Sequence, residues 1–364
     1  MDTRYRRLAS FCSIGMSLLM LFSVSSCAAE NMVMEKSEPT ARFVLNHMLE
    51  EGGVRTNYLD GTRVYEFATG SDVLSESQGL LMRYAVVVED QILFEQAHEY
   101  VQDNLLLDDT LISYRYSEEY RLFPMNAIVD DFRIIRALLE AAQVFEEESY
   151  KSRALEYAEK IYDVCVVDGN LRDFYDAKAK AVSGTLRMCY VDFKTLSALS
   201  AYDDRWVPIL EKGLALVKSS YLGDTFPLFA SSYSYETASY STEDIDTVQA
   251  LLVALHLAEM GECPTETIHF VKRQVESGTL WGAYSVGGAP ASDVQSAAIY
   301  ALAAMLGTEL GDWELREAAI VKMRKFRIEE VEHPLYGAYA NPETKEAFSF
   351  DNLCAMLTEE YEDV

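Results

Sequence analysis

The chain is short of the residues on which most metal and nucleophile chemistry depends. Its five histidines, His47, His98, His256, His269 and His333, show no HxxxH or HExxH spacing. No metal site and no cofactor is signalled. Six cysteines are present without a CxxC pair, which removes zinc-ribbon and thioredoxin-type motifs. Cys165, Cys189, Cys263 and Cys354 sit in or beside apolar helical stretches and read as buried free thiols, with one disulfide the alternative. Positive charge is scarce: 31 Lys and Arg face 59 Asp and Glu, for a net charge of −28. That balance excludes nucleic acid and anionic membrane surfaces as partners. It suits a neutral or cationic ligand, or simply a solvated acidic surface. A long apolar run is also lacking. The run from Ile14 to Val24 falls short of the roughly 20 residues that span a bilayer.

That short run has a different meaning at the N-terminus. Arg4, Arg6 and Arg7 precede it, and Val24-Ser25-Ser26-Cys27 follows it. A charged start, an apolar middle and small residues before the cut describe a secretory signal peptide. The small-small-Cys ending resembles a bacterial lipobox, in which Cys27 is lipidated and becomes the mature N-terminus. An ordinary signal peptide with Cys27 as a free thiol is the alternative. The expected organisation is a lipoprotein signal peptide over residues 1–26, a polar tether over 27–37 and one domain over 38–364. The protein is then extracytoplasmic and held on the cell membrane by its N-terminal lipid.

The remaining chain, 49% hydrophobic and 12% aromatic, alternates two kinds of helical segment. One kind has a single apolar face: Thr40–Glu51, Asp90–Asn104, Ser149–Val166, Asp204–Ser219, Thr265–Glu276 and Asp312–Phe326. The other is apolar nearly all round: Ser75–Val88, Ala127–Phe145, Tyr190–Ala201, Asp244–Met260, Ser292–Leu306 and Phe348–Glu359. A one-faced helix lines a surface and an all-apolar helix is buried. Six outer helices therefore alternate with six inner ones. Links from inner to outer helices are a few residues, whereas outer-to-inner links run to about 15–25, a length associated with function. Leu280-Trp281-Gly282-Ala283-Tyr284 and Leu335-Tyr336-Gly337-Ala338-Tyr339 repeat before the last two inner helices. Recurring pairs point to a stacked or closed array, here an all-α (α/α)6 toroid, with an open solenoid the alternative.

In a toroid the six long loops gather at one end, over the N-termini of the inner helices. Carboxylates and amides begin those helices: Glu76, then Asn126, Asp130 and Asp131, then Asp192, Asp244 and Asp246, Asp293 and Asp351. Each one alone is explained as a helix cap. Gathered in one cleft, they push their pKa values apart, so that one serves as an acid and another as a base. The same loops carry Tyr114, Tyr116, Tyr190, Trp281 and Tyr284 among other aromatics, flat faces on which sugar rings stack. Paired carboxylates among aromatics fit glycoside hydrolysis, and the expected partner is a polysaccharide.

With these motifs placed, a family resemblance emerges. Ser75-Glu76-Ser77-Gln78-Gly79-Leu80-Leu81-Met82 resembles the Ser-Glu-Gly-Gln-x-Tyr-Gly-Met signature of glycoside hydrolase family 8. Asp109-Thr110-Leu111-Ile112-Ser113-Tyr114-Arg115-Tyr116 looks like the family's Asp-Gly-Leu-x-x-Trp-Arg-Trp stretch. Asn126 to Asp131 stands where the family has Ala-Thr-Asp-Ala-Asp. Asp246-Thr247-Val248-Gln249 is similar to Tyr-Asp-Ala-x-Arg. The resemblance implies a toroid of inverting enzymes acting on β-1,4-linked polymers. By it, Glu76 is the general acid and Asp246 the base, with Asp244 in reserve. Asp130, Asp131, Asn126, Tyr114, Tyr116, Tyr190, Asp192, Trp281 and Tyr284 line the substrate. Two departures matter: the family's first Asp of Ala-Thr-Asp-Ala-Asp falls on Val129, and the loop before Asp246 lacks the usual Tyr-Asp-Ala-x-Arg context. A lipid anchor with divergent motifs resembles exopolysaccharide-operon lipoproteins of Gram-positive bacteria, which trim a secreted polymer. A weakly active or inactive polysaccharide-binding lipoprotein that assists export is the alternative.

Overall fold

The structure is a computed structural model that describes residues 38–61 and 65–360. The signal peptide, the tether and Cys27 lie outside the described residues, as do residues 361–364.

Twelve α-helices are present among the described residues. Six are outer: α1 (Pro39–His47), α3 (Gln91–Tyr100), α5 (Glu148–Cys165), α7 (Val207–Ser219), α9 (Thr265–Ser277) and α11 (Trp313–Met323). Six are inner: α2 (Ser75–Val87), α4 (Ile128–Val144), α6 (Phe193–Ser200), α8 (Thr247–Ala258), α10 (Ala297–Leu310) and α12 (Ser349–Glu360). Each inner helix packs on the next, and α12 packs back on α2, so the ring closes and the solenoid is excluded.

The division follows from side-chain pattern. In α10, Ala297 to Ala304 are all buried, because small apolar side chains let neighbours approach from every side. In α9 only Thr267, Phe270, Val271 and Val275 are buried, one stripe at three- and four-residue spacing. Short Asp side chains start several helices by accepting a backbone N–H: Asp90 from Leu93, Asp312 from Leu315. Gly278 and Gly311 end α9 and α10 in the left-handed conformation that glycine adopts without a Cβ clash.

Two inner helices begin later than their hydrophobic runs suggest. Residues 292–296 are not helical and Ser296 caps α10 through Ile299. Tyr190 belongs to a 3-10 turn, Met188–Tyr190, and α6 follows only at Phe193. The long outer-to-inner links pair their backbone groups in short antiparallel ladders, such as Val73–Leu74 on Arg115–Ser117 and Ile245–Asp246 on Ala283–Tyr284. These ladders lead directly into α2 and α8.

Candidate active site

Glu76 is placed by the strand before it and the helix it opens. Asp72 and Arg115, both fully buried, form an ion pair of 2.7 Å under the Val73–Leu74 ladder. Arg115 also donates to Tyr65 O at 2.9 Å and lies over the Phe123 ring. The Ser75 N–H then donates to Tyr114 O at 3.1 Å. This strand–helix junction fixes Glu76 on the first turn of α2 with its side chain 30% exposed.

Arg133 of α4 faces it. Its Nη1 lies 2.7 Å from Asp130 Oδ1 and 3.6 Å from Glu76 Oε2. Ser75 Oγ donates to the other Asp130 oxygen at 3.0 Å. Burial drives the Glu76 carboxyl upward, Arg133 draws it back and the Asp130 charge pushes it up again, to about 7. Asp130 is raised too, by burial first, against Arg133 and the Ser75 hydroxyl. A carboxyl poised near neutrality beside a cation has the properties of a general acid.

Asp246 caps α8, accepting the Gln249 N–H at 2.9 Å, and is exposed on its free side. The Cys189 Sγ lies 3.9 Å from Gln249 Oε1. Burial lifts that thiol to about 12, and it feels the charges of both Arg133 and Asp246. Trp281, half-buried, stands beside Asp246, its carbonyl accepting from Thr247 Oγ1 at 2.5 Å. Tyr190 is half-buried, and its phenol is raised by burial and then by the Asp130 charge. Tyr114, half-buried, borders Ser75 and packs edge-on against Phe123. Asp244 is exposed two residues before Asp246, its carbonyl 3.5 Å from Ser231 Oγ.

Other expected substrate contacts are turned away from this opening. Tyr284 is buried, its hydroxyl donating to Thr279 O and accepting from the Trp281 N–H; it braces the loop rather than facing a sugar. Asn126 and Asp131 are buried against each other, Nδ2 to Oδ2 at 2.6 Å, and Asn126 also takes the Tyr175 N–H. They join α4 to the following loop, and burial keeps Asp131 well above the usual carboxylate range. Tyr116 lines a separate cavity of about 520 Å3 with Glu50, Glu51, Arg55 and Tyr100.

Asp192 is also displaced from the expected cleft. It caps the short α6 through the Thr195 N–H and hydroxyl, inside the ring, 3.9 Å from Arg136. Burial alone would raise it, but Arg136, His256 and the Thr195 bonds outweigh that and bring it to about 2. Asp192, His256 and Glu259 approach within 4.8 Å of one another. Arg136, 2.7 Å from Glu259, already supplies the positive charge there, and the group reads as a salt-bridged core.

Residues outside the motifs complete the site. Gly79 lies one turn along α2 from Glu76. A Cβ there would come within 2.9 Å of the Arg133 Cβ, so glycine lets α4 bring Arg133 close to Glu76. The signal for Arg133 was present as a cation three residues after Asp130 in a largely apolar helix that also carries Arg136. A cleft of about 870 Å3 does not include Glu76. It opens at the starts of α10 and α12, lined by Val294, Phe348 and Asp351 among others.

Comparison with known proteins agrees with this geometry. The family model for glycosyl hydrolases family 8 matches residues 9–173. The “Putative lipoprotein YdaJ” of Bacillus subtilis is 25% identical over 327 residues, covering 88% of this chain and 86% of that protein. The solved structure of a novel alpha-amylase from Clostridium perfringens superposes with a TM-score of 0.83 at 30% identity, over 89% of this chain and 97% of that one. The endo-beta-1,4-glucanase CMCax from Acetobacter xylinum shares the fold, with a TM-score of 0.64 at 18% identity over 88% and 96% of the two chains. A carboxyl held near neutrality at the loop end of a closed twelve-helix ring and these likenesses lead to one assignment: the chain belongs to the family 8 glycosyl hydrolases and is a glycoside hydrolase.

Proposed function

We propose that the protein hydrolyses a β-linked exopolysaccharide outside the cell membrane, with inversion at the anomeric carbon. Glu76 gives its proton to the bridging oxygen as the C–O bond breaks. Asp246 takes a proton from a water that attacks the opposite face of the ring; Asp244 is the reserve base. Such a pair works across a gap of about 6.5–9.5 Å that holds the water. Asp130, Tyr114, Tyr190 and Trp281 hold the sugars near the reacting bond, and the cleft at Phe348 accommodates further units of the polymer. The single observation that carries this reading is the Glu76 carboxyl, raised to about 7 at the mouth of the ring.

Lipidation at Cys27 would tether the enzyme where a secreted polymer leaves the export machinery. Glu38 lies at the short-link end of the toroid: its charge reaches the Tyr84 phenol together with those of Glu360, Asp90 and Glu359. A tether attached there turns the loop end, with Glu76, away from the membrane.

A specific observation favours a second reading of the linkage. The structure at 30% identity is an alpha-amylase, so an α-linked glucan is the competing substrate. The test is release of reducing ends from the producer's exopolysaccharide, from β-1,4-glucan and from starch, with the anomer of the first product read by NMR. Cleavage of starch alone replaces the β reading. Cleavage lost in both Glu76→Gln and Asp246→Asn, with the fold intact, supports the pair. Full activity of Glu76→Gln removes Glu76 as the acid. Wild-type binding without cleavage points to the polysaccharide-binding lipoprotein instead.

A further inference from the structure

The contact between α2 and α4 delivers one guanidinium to two carboxylates on unequal terms. Arg133 Nη1 donates to Asp130 Oδ1 at 2.7 Å, a full hydrogen bond, and stands 3.6 Å from Glu76 Oε2, beyond hydrogen-bond reach. Asp130 is held on its other oxygen by Ser75 Oγ, so it does not swing to share the cation further. The missing Cβ at Gly79 lets α2 and α4 approach closely at this height, where an added Cβ would lie 2.9 Å from the Arg133 Cβ. The other titratable groups around the cluster are Cys354 from α12, which feels both Arg133 and Glu76, Cys189 and Tyr190 from the turn before α6, His256 from α8, which feels Arg133, and Asp131 from α4, which feels Asp130. Burial raises the two thiols and the phenol and lowers His256, so these four are neutral near pH 7, and Asp131 is tied to Asn126. The electrostatics at Glu76 therefore reduce to Arg133 and Asp130.

We propose that Arg133 is a positioning residue for the hydrolysis, a guanidinium parked on Asp130 at rest that moves onto Glu76 as the acid gives up its proton. The inference rests on Glu76 being the acid. With Arg133 engaged by Asp130, Glu76 keeps its proton and stays competent to donate. Once the proton has passed to the bridging oxygen, Glu76 is a half-buried carboxylate. A shift of under about 1 Å then brings Arg133 into a charge-assisted hydrogen bond with it. The cation returns to Asp130 when solvent reprotonates Glu76. Val129 fits this arrangement: the carboxylate stands one position later, at Asp130, where it engages Arg133.

The two neighbours must then move the acid in opposite directions. In Asp130→Asn a like charge disappears and Arg133 is released toward Glu76, so the alkaline limb of kcat moves to lower pH. In Arg133→Gln an opposite charge disappears, and the limb moves to higher pH by about one unit or more. In that variant kcat falls while KM changes by less than about twofold, and Arg133→Lys recovers part of kcat. The Glu76 carboxyl is titrated directly as well, by 13C NMR on glutamate-labelled full-length protein, its resonance assigned from Glu76→Gln. Opposite displacements of that titration and of the pH limb support the proposal. Displacement in the same direction, or none, overturns it. If Arg133→Gln does not fold, Asp130→Asn decides alone: a downward shift supports the idea and an unchanged or upward one ends it. Retained activity in Glu76→Gln, by contrast, removes the acid assignment itself.

Discussion

Glu76→Gln should abolish hydrolysis and, above neutral pH, make the protein more stable. In the folded protein the Glu76 carboxyl is raised from 4.5 to about 7, chiefly by burial, and Arg133 only partly offsets this. A carboxyl whose folded value lies above its unfolded one favours folding while protonated. Its contribution is complete below about pH 4.5 and is lost as pH rises through about 7. The full interval corresponds to about 3 kcal/mol. The side chain is 30% exposed, so water reaching the carboxylate trims the usable effect to about 1–2 kcal/mol. Glutamine is neutral at every pH and matches the protonated form in shape. At pH 4 the two proteins should melt together. At pH 8.5 the variant should melt higher by about 2–4 °C per kcal/mol for a chain of this size. Thermal unfolding by circular dichroism at four or five pH values measures the gap. Equal melting at pH 8.5 would refute the reasoning, as would a gap of constant size across the range, since neither leaves Glu76 ionising under strain.

Three further outcomes follow from neighbouring structure. Asp72→Asn removes the carboxylate paired with the buried Arg115 and should cost about 3–5 kcal/mol in urea unfolding; Asp72→Asn with Arg115→Met should recover much of it. Trp281→Ala keeps the backbone contact to Thr247 but removes a stacking face, so KM for polymer should rise about tenfold, a loss near 1.4 kcal/mol, with kcat changed less. Cys27→Ser should move the protein from the detergent phase to the aqueous phase on phase partitioning, while soluble activity of the released protein is unchanged.

The ring was legible because inner and outer helices differ in a property that composition records directly. An inner helix such as α10 is apolar on all sides, an outer one such as α9 on a single stripe, and the count of long links gives the end at which loops gather. Glu76 was legible as well, since the residues about it carry a resolvable motif. Depth was not. Asp192 and Asp246 both begin inner helices and both accept a backbone N–H from the residue three positions on. Yet α6 is only eight residues long and starts inside the ring, where Arg136 and His256 enclose Asp192, whereas α8 opens at the loop face. Nothing in the order of residues states how far down the ring a short helix begins. Trp281 and Tyr284 separate in the same way: pairing of Ile245 with Tyr284 holds the tyrosine under the loop, where its hydroxyl bonds Thr279, while Trp281 stays half-exposed. Arg133 belongs to a third kind, in which the deciding residue is the one that is missing. Only a glycine at 79 lets α4 come close enough to lay a cation beside Glu76, and a site read from its carboxylates alone overlooks the space that brings them together.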